Sequence, residues 1–240
     1  MSAEPKEAAR EVLAGQPQEA ARPWLGVTAL VMAVLFAVDT VLVLNGFWLP
    51  LDIRITLFIQ GINWGPIAYV LQLINVTAGY WQVLAGAVAI VLLFVVERRA
   101  GWLMLIGSIS SLLDNIIKLV ISRPRPTVDV VHILTPASGF SYPSGHAVFF
   151  TWLSFMLAAS LAPRFKPLLR PVLWLAAIVV IVLACIARVW AGDHWPSDVM
   201  GGVLLGAGWS AFVLWLPERW LPSPSVRWFR GRLRRRSPSP

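Results

Sequence analysis

Six stretches of this chain are almost free of charge and long enough, or nearly so, to cross a bilayer: Leu25–Leu49, Tyr80–Val96, Gly101–Ile121, Gly145–Ala162, Pro171–Val189 and Val199–Leu216. A hydrocarbon core needs about 20 apolar residues per helical crossing. Inside it every backbone polar group must find its partner within the segment or within a closed barrel. Runs of this length, without strict alternation, therefore predict an all-α membrane protein: a six-span helical bundle. Composition agrees, with 58% hydrophobic and 13% charged residues, against about 25% charged in an average soluble domain. The first run is too long for a signal-peptide core and has no persuasive cleavage site, so it reads as a retained anchor. Residues 51–79, broken by Gly61, Gly65 and Pro66, read as short interfacial helices between the first and second spans, with a seventh, re-entrant segment as the alternative. The expected organisation is a cytoplasmic tail over 1–23, a membrane domain over 24–217 and a basic cytoplasmic tail over 218–240. Trp24, Trp48, Trp81, Trp102, Trp190, Trp195, Trp215 and Trp220 fall near span ends, as in an interfacial aromatic belt. Trp152, Trp174 and Trp209 read as core.

The net charge of +8 does not point to nucleic acid, because the basic residues sit between apolar runs and in a tail. They fix an orientation instead. With six spans, fifteen of the twenty Lys and Arg fall on the side that holds both tails. The positive-inside rule makes that side cytoplasmic. The other side carries Arg54, Lys118, Arg123, Arg125 and Arg188, and the last four cluster around the second and third outer loops. The single cysteine, Cys185, lies in an apolar run and permits no intrachain disulfide.

Cations at a membrane exit are costly unless something anionic meets them. Taken alone, Lys118 and Arg125 in "KLVISRPRP" could be snorkelling side chains. Two further pieces lie at the same expected membrane face: Pro143-Ser144-Gly145-His146, and "ARVWAGDHWPSD" with Arg188, His194 and Asp198. Together they read as a phosphoryl-transfer site. Lys118, Arg125 and Arg188 are suited to surround phosphate oxygens. Ser144 and Gly145 stand where a helix starts, and its free N–H groups favour an anion. His194 is the candidate nucleophile and His146 the candidate acid, later a base toward water. Asp198, two residues past Pro196 in the first turn of the sixth span, can reach back to orient the His194 ring. No His cluster or acidic pair has metal-ligand spacing, so neither a metal nor another cofactor is expected.

These three pieces, in this order and at this spacing, resemble the signature of the type 2 phosphatidic acid phosphatase superfamily, from Lys118 to Asp198. The resemblance implies an integral-membrane phosphatase acting on a lipid phosphate or diphosphate through a phosphohistidine on His194, with His146 as the acid. The last motif of that family usually begins Ser-Arg; here it is Ala187-Arg188, which removes one hydroxyl but leaves the charged groups. Undecaprenyl diphosphate at the outer face heads the implied substrates, followed by phosphatidylglycerophosphate and phosphatidic acid. A lipid phosphotransferase would use the same scaffold. A vanadium haloperoxidase shares the signature but belongs to a soluble group, and a non-enzymatic scaffold or transporter leaves the constellation unexplained. The expected partners are the lipid substrate and the bilayer. His132 reads as solvent-facing, and Asp114 as a structural ion pair with Lys118 one turn on. Asp193 reads as a cap for the start of the sixth span. Asp39, inside the first span, has no partner that sequence can assign.

Overall fold

The structure, a computed structural model, describes residues 22–77 and 79–217. The tails expected over 1–23 and 218–240 lie outside the described residues save for Arg22 and Pro23. Among the described residues there is no strand. The described residues form nine α-helices in succession: α1 (Pro23–Leu44), α2 (Leu49–Gly61), α3 (Ile67–Val76), α4 (Tyr80–Val96), α5 (Arg98–Gly107), α6 (Ile109–Ile121), α7 (Gly145–Leu161), α8 (Arg170–Trp190) and α9 (Pro196–Trp215). Two short 3₁₀ turns, Ala162–Arg164 and Pro167–Leu169, link α7 to α8.

Among the described residues, five spans are long and apolar enough to cross a bilayer: Pro23–Leu44, Arg98–Ile121, Gly145–Arg164, Pro167–Trp190 and Pro196–Trp215. Arg98–Ile121 joins α5 to α6 through Ser108, whose hydroxyl donates to Leu105 O at 2.7 Å. Such a serine back-bond is a common local irregularity in membrane helices. The remaining expected span, Tyr80–Val96, is α4 and has 17 residues. It reaches crossing length with α3, from which it departs at 87°.

α7 and α9 form the centre of the bundle: 61% and 56% of their apolar stretches are buried, against 11% for α1. Their interface is close because small residues let the backbones approach. A methyl group on Gly202 would fall 2.6 Å from Ser144 O. The main core gathers Leu93, Met104, Val148, Phe149, Trp152 and Met156. The outer spans turn apolar side chains outward: Leu30 and Val83, for example, are exposed. In a bilayer that costs nothing, since lipid tails are as apolar as leucine.

α2 and α3 fill the place expected of the interfacial helices, but each sends a polar residue inward. Asp52 and Thr56 of α2 are buried, as are Leu71 and Asn75 of α3. Trp195, expected in the belt, is also buried; it is the N-cap of α9, where the chain turns back into the bundle. Asp39 finds its partner in the Tyr142 hydroxyl at 3.0 Å, which also meets Thr40 Oγ1 at 2.9 Å. A buried carboxylate is tolerable only with such partners.

Candidate active site

The end of α6, the start of α7 and the turn between α8 and α9 meet at one end of the bundle. Between them lies a cavity of about 830 Å³. Lys118, Arg125, Gly145, His146, Arg188 and His194 all line it. Of the residues expected at the site, Ser144 and Asp198 do not; both are fully buried behind it. The backbone N–H of Ser144 donates to Asp198 O at 2.9 Å, tying the start of α7 to the first turn of α9.

Each side chain is placed by a local rule. α6 ends at Ser122, which takes a left-handed conformation (φ 52°) and turns the chain abruptly out of the helix. Lys118, in the last turn, is held by Asp114 at 2.5 Å and 2.6 Å, the expected (i, i+4) pair. A methyl group on Gly145 would come within 2.9 Å of Asp114 Oδ2 and 3.2 Å of Lys118 Nζ. Only glycine lets this ion pair press against the start of α7. Arg125 is fixed by carbonyls: its Nε donates to Ser138 O and Gly139 O, and an Nη donates to Asp193 O at 2.7 Å. The same Nη lies 3.2 Å from His194 Nε2.

Asp198 sits at the third position of α9, and its Oδ2 accepts from the Trp195 backbone N–H at 2.8 Å. That is the capping position at which a carboxylate satisfies a free helix N–H. The cap therefore belongs to Asp198 and not to Asp193, as expected from sequence. Asp193 instead turns back to Arg188, 2.7 Å away. The same Asp198 oxygen lies 3.6 Å from His194 Nδ1. The imidazole thus presents Nδ1 to a carboxylate and Nε2 to the cationic side of the cavity. Burial, with Arg188, Arg125 and Lys118 around it, holds His194 well below the ordinary imidazole pKa. A ring that is neutral near pH 7 keeps a lone pair for attack. His146 is buried, and its Nε2 makes no protein hydrogen bond. Arg188 is held through Asn75 Oδ1 at 2.9 Å, while the Asn75 amide donates to Ala187 O at 3.1 Å.

Four residues close to this site were not singled out as site residues by sequence. Asn75 holds Arg188. Asp52, Arg123 and Ser197 form a buried cluster behind Asp198: Arg123 reaches Asp198 Oδ1 at 2.5 Å and Asp52 Oδ2 at 2.8 Å. Arg123 was visible as an outer-side exception to the charge rule, and Asp52 as a carboxylate in an apolar stretch. His132 is exposed, as expected, and its backbone N–H and carbonyl are both taken by Gln60. Among the described residues, no three His, Cys, Asp or Glu side chains gather as a metal site.

The cavity is not confined to its charged end. It continues along α4 and α7 past Val83, Gly86, Ile90, Phe149 and Trp152. A charged pocket opening onto an apolar channel matches an amphiphile with an anionic head. Comparisons with known proteins point the same way. An undecaprenyl-diphosphatase from Sulfolobus acidocaldarius is 32% identical over 129 residues, covering 52% of this chain and 58% of that protein. Phosphatidylglycerophosphatase B from Bacillus subtilis is 33% identical over 109 residues, covering 43% and 51%. This chain thus spans somewhat over half the length of each of these two relatives. The crystal structure of a transmembrane phosphatidylglycerolphosphate phosphatase from Bacillus subtilis superposes with a TM-score of 0.70 at 23% identity, over 82% of this chain and 99% of that one, so the fold is shared. The PAP2 superfamily model matches residues 99–222, just over half of the sequence and the whole stretch that carries the three motifs. On that match, the chain belongs to the PAP2 superfamily.

Proposed function

We propose that this chain is a metal-independent lipid phosphatase, working through a phosphohistidine on His194. The observation that carries the reading is the convergence of three cations, Lys118, Arg125 and Arg188, on the cavity that holds both histidines. In the first step, His194 Nε2 attacks phosphorus and the bond from phosphorus to the leaving lipid oxygen breaks, while His146 gives that oxygen a proton. In the second, water attacks the phosphohistidine, His146 takes its proton, and inorganic phosphate leaves with His194 restored. Asp198 orients the ring and balances the charge it acquires. The three cations and the start of α7 stabilise the equatorial oxygens, which is the work a metal does in other phosphatases. Ala187 in place of serine removes one hydrogen bond and leaves this arrangement intact.

The preferred substrate is undecaprenyl diphosphate presented at the outer face, with phosphatidylglycerophosphate as the second reading. Each is what one of the two curated relatives acts on. The test is phosphate release from a panel of purified lipid phosphates and diphosphates in detergent, without added metal. Activity should stay within about twofold in EDTA, because the cationic side chains carry the charge. Vanadate should inhibit, since it adopts the five-coordinate geometry of the transferring group. Full loss in EDTA, restored by Mg²⁺, overturns the metal-free mechanism.

The substrate choice depends on sidedness. The proposed topology puts residues 1–23 and 218–240 in the cytoplasm and the membrane domain, 24–217, between them, with the site facing outward. Val128, in the loop after α6, is 77% exposed. Once Cys185 is replaced by alanine, Val128→Cys should react with a membrane-impermeant thiol reagent in intact cells. Pro167→Cys, in the exposed turn between α7 and α8, should react only after permeabilisation. The reverse pattern places the site in the cytoplasm and removes the reason for preferring an outer-face diphosphate.

A further inference from the structure

Behind the candidate nucleophile lies a second, fully interlocked shell. Asp52, on α2, uses both carboxylate oxygens: Oδ1 accepts from the Ser197 N–H at 2.9 Å, and Oδ2 from Ser197 Oγ at 2.7 Å and Arg123 at 2.8 Å. Arg123 spends its other Nη on Ser197 Oγ at 2.7 Å and Asp198 Oδ1 at 2.5 Å. All four side chains are buried, and Asp198 is wholly so.

We propose that Asp52 is a positioning residue for the phosphoryl-transfer step: by neutralising Arg123, it leaves the charge of Asp198 free to balance the ring of His194. This rests on the phosphatase reading above. The reason is a count of charges. With one arginine and two carboxylates, the shell carries a net charge of −1. When His194 Nε2 bonds to phosphorus, the ring becomes cationic in a pocket that already holds Lys118, Arg125 and Arg188. A single net negative charge at Asp198, 3.6 Å from Nδ1, then offsets it. Remove Asp52 and Arg123 cancels Asp198 at 2.5 Å, so the cationic ring loses the carboxylate charge behind its Nδ1. A low-dielectric interior magnifies that difference. A shell whose only work was to clasp α2 to α9 would not need an odd number of charges; buried ion pairs are often replaceable by apolar contacts without loss.

The test uses full-length protein in detergent with dioctanoyl phosphatidic acid as the probe. With saturating enzyme in excess, the single-turnover rate constant is independent of the folded fraction. Asp52→Asn, which keeps the shape and removes the charge, should slow it by about 10- to 100-fold, the scale on which outer-shell partners of metal-bound histidines act. Half-saturation should stay within about twofold, because the phosphate-binding cations are untouched. Asp52→Asn with Arg123→Gln restores the net charge of −1 at Asp198, and should be faster than Asp52→Asn alone. A pure clasp predicts the opposite order, since the double variant loses more bonds. Wild-type speed in Asp52→Asn, or a double variant no faster than the single one, overturns the proposal. Should Asp52→Asn fail to fold, the double variant decides: a rate within about tenfold of wild type supports the proposal, and one as silent as His194→Ala overturns it. A wild-type protein that releases no phosphate from this probe or from any lipid phosphate or diphosphate of the panel overturns the phosphatase reading itself, an outcome distinct from an active wild type with an unimpaired Asp52→Asn.

Discussion

His194→Ala should reduce phosphate release by about 10⁴-fold or more, on every substrate, because no intermediate can form without the attacking nitrogen. His146→Ala should behave differently. Removing a general acid costs about 10²- to 10⁴-fold where the leaving oxygen must be protonated. A lipid alkoxide needs that proton; p-nitrophenolate scarcely does. The His146→Ala protein should therefore lose much more activity on a lipid phosphate than on p-nitrophenyl phosphate, and His194→Ala should lose both alike. The geometry gives the asymmetry its basis. His194 Nε2 faces Arg125 at 3.2 Å, with Asp198 behind Nδ1 at 3.6 Å, whereas His146 Nε2 has no protein partner and lines the cavity. Steady-state rates for both variants on both substrates check this. Equal losses in both variants on both substrates would contradict the division of labour.

What the sequence revealed and what it hid follow from distance along the chain. The spans were legible because apolar length is a local property, and Arg98–Ile121 extends the expected Gly101–Ile121 by only three residues. The candidate residues that line the cavity were legible because each motif is short and sits at a helix end. Asp52 and Asn75 were not, because their partners are remote: Ser197 lies 145 positions from Asp52, and Arg188 lies 113 from Asn75. A lone carboxylate in an apolar stretch announces that it needs a partner, and nothing local says which one. The same limit applied to Asp39, whose partner Tyr142 is 103 positions away. Asp193 and Asp198 show a subtler case. Both stand near the start of α9, and either could cap it from composition alone. Only the position of Arg188 in space takes Asp193 away from the helix and leaves the cap to Asp198.

The second large effect should come from a single methyl group. Gly192 lies between Arg188 and His194, with φ at +74°, and a Cβ there would meet His132 O at 2.2 Å and Ile133 Cδ1 at 3.0 Å. The loop cannot simply retreat. Gln60 grips His132 from both sides, at 2.6 Å and 3.1 Å, and Leu134 donates to Ala191 O at 2.9 Å. Gly192→Ala therefore faces two costs: about 1–2 kcal/mol for the left-handed backbone, and about 1–3 kcal/mol more for overpacking against a fixed carbonyl. Gly46→Ala is the control. Its φ is +67°, but nothing lies within 4 Å of the added atom, so it should carry the backbone cost alone. In detergent, the half-life of the folded protein at a fixed elevated temperature reads both variants without assuming reversible unfolding. Gly192→Ala should shorten it far more than Gly46→Ala. It should also lower the activity of whatever remains folded, because the neighbouring Asp193 carbonyl anchors Arg125 at 2.7 Å. Equal half-lives for the two variants would mean that the loop yields at little cost, and that the turn between Arg188 and His194 is not held by its contact with the His132 backbone.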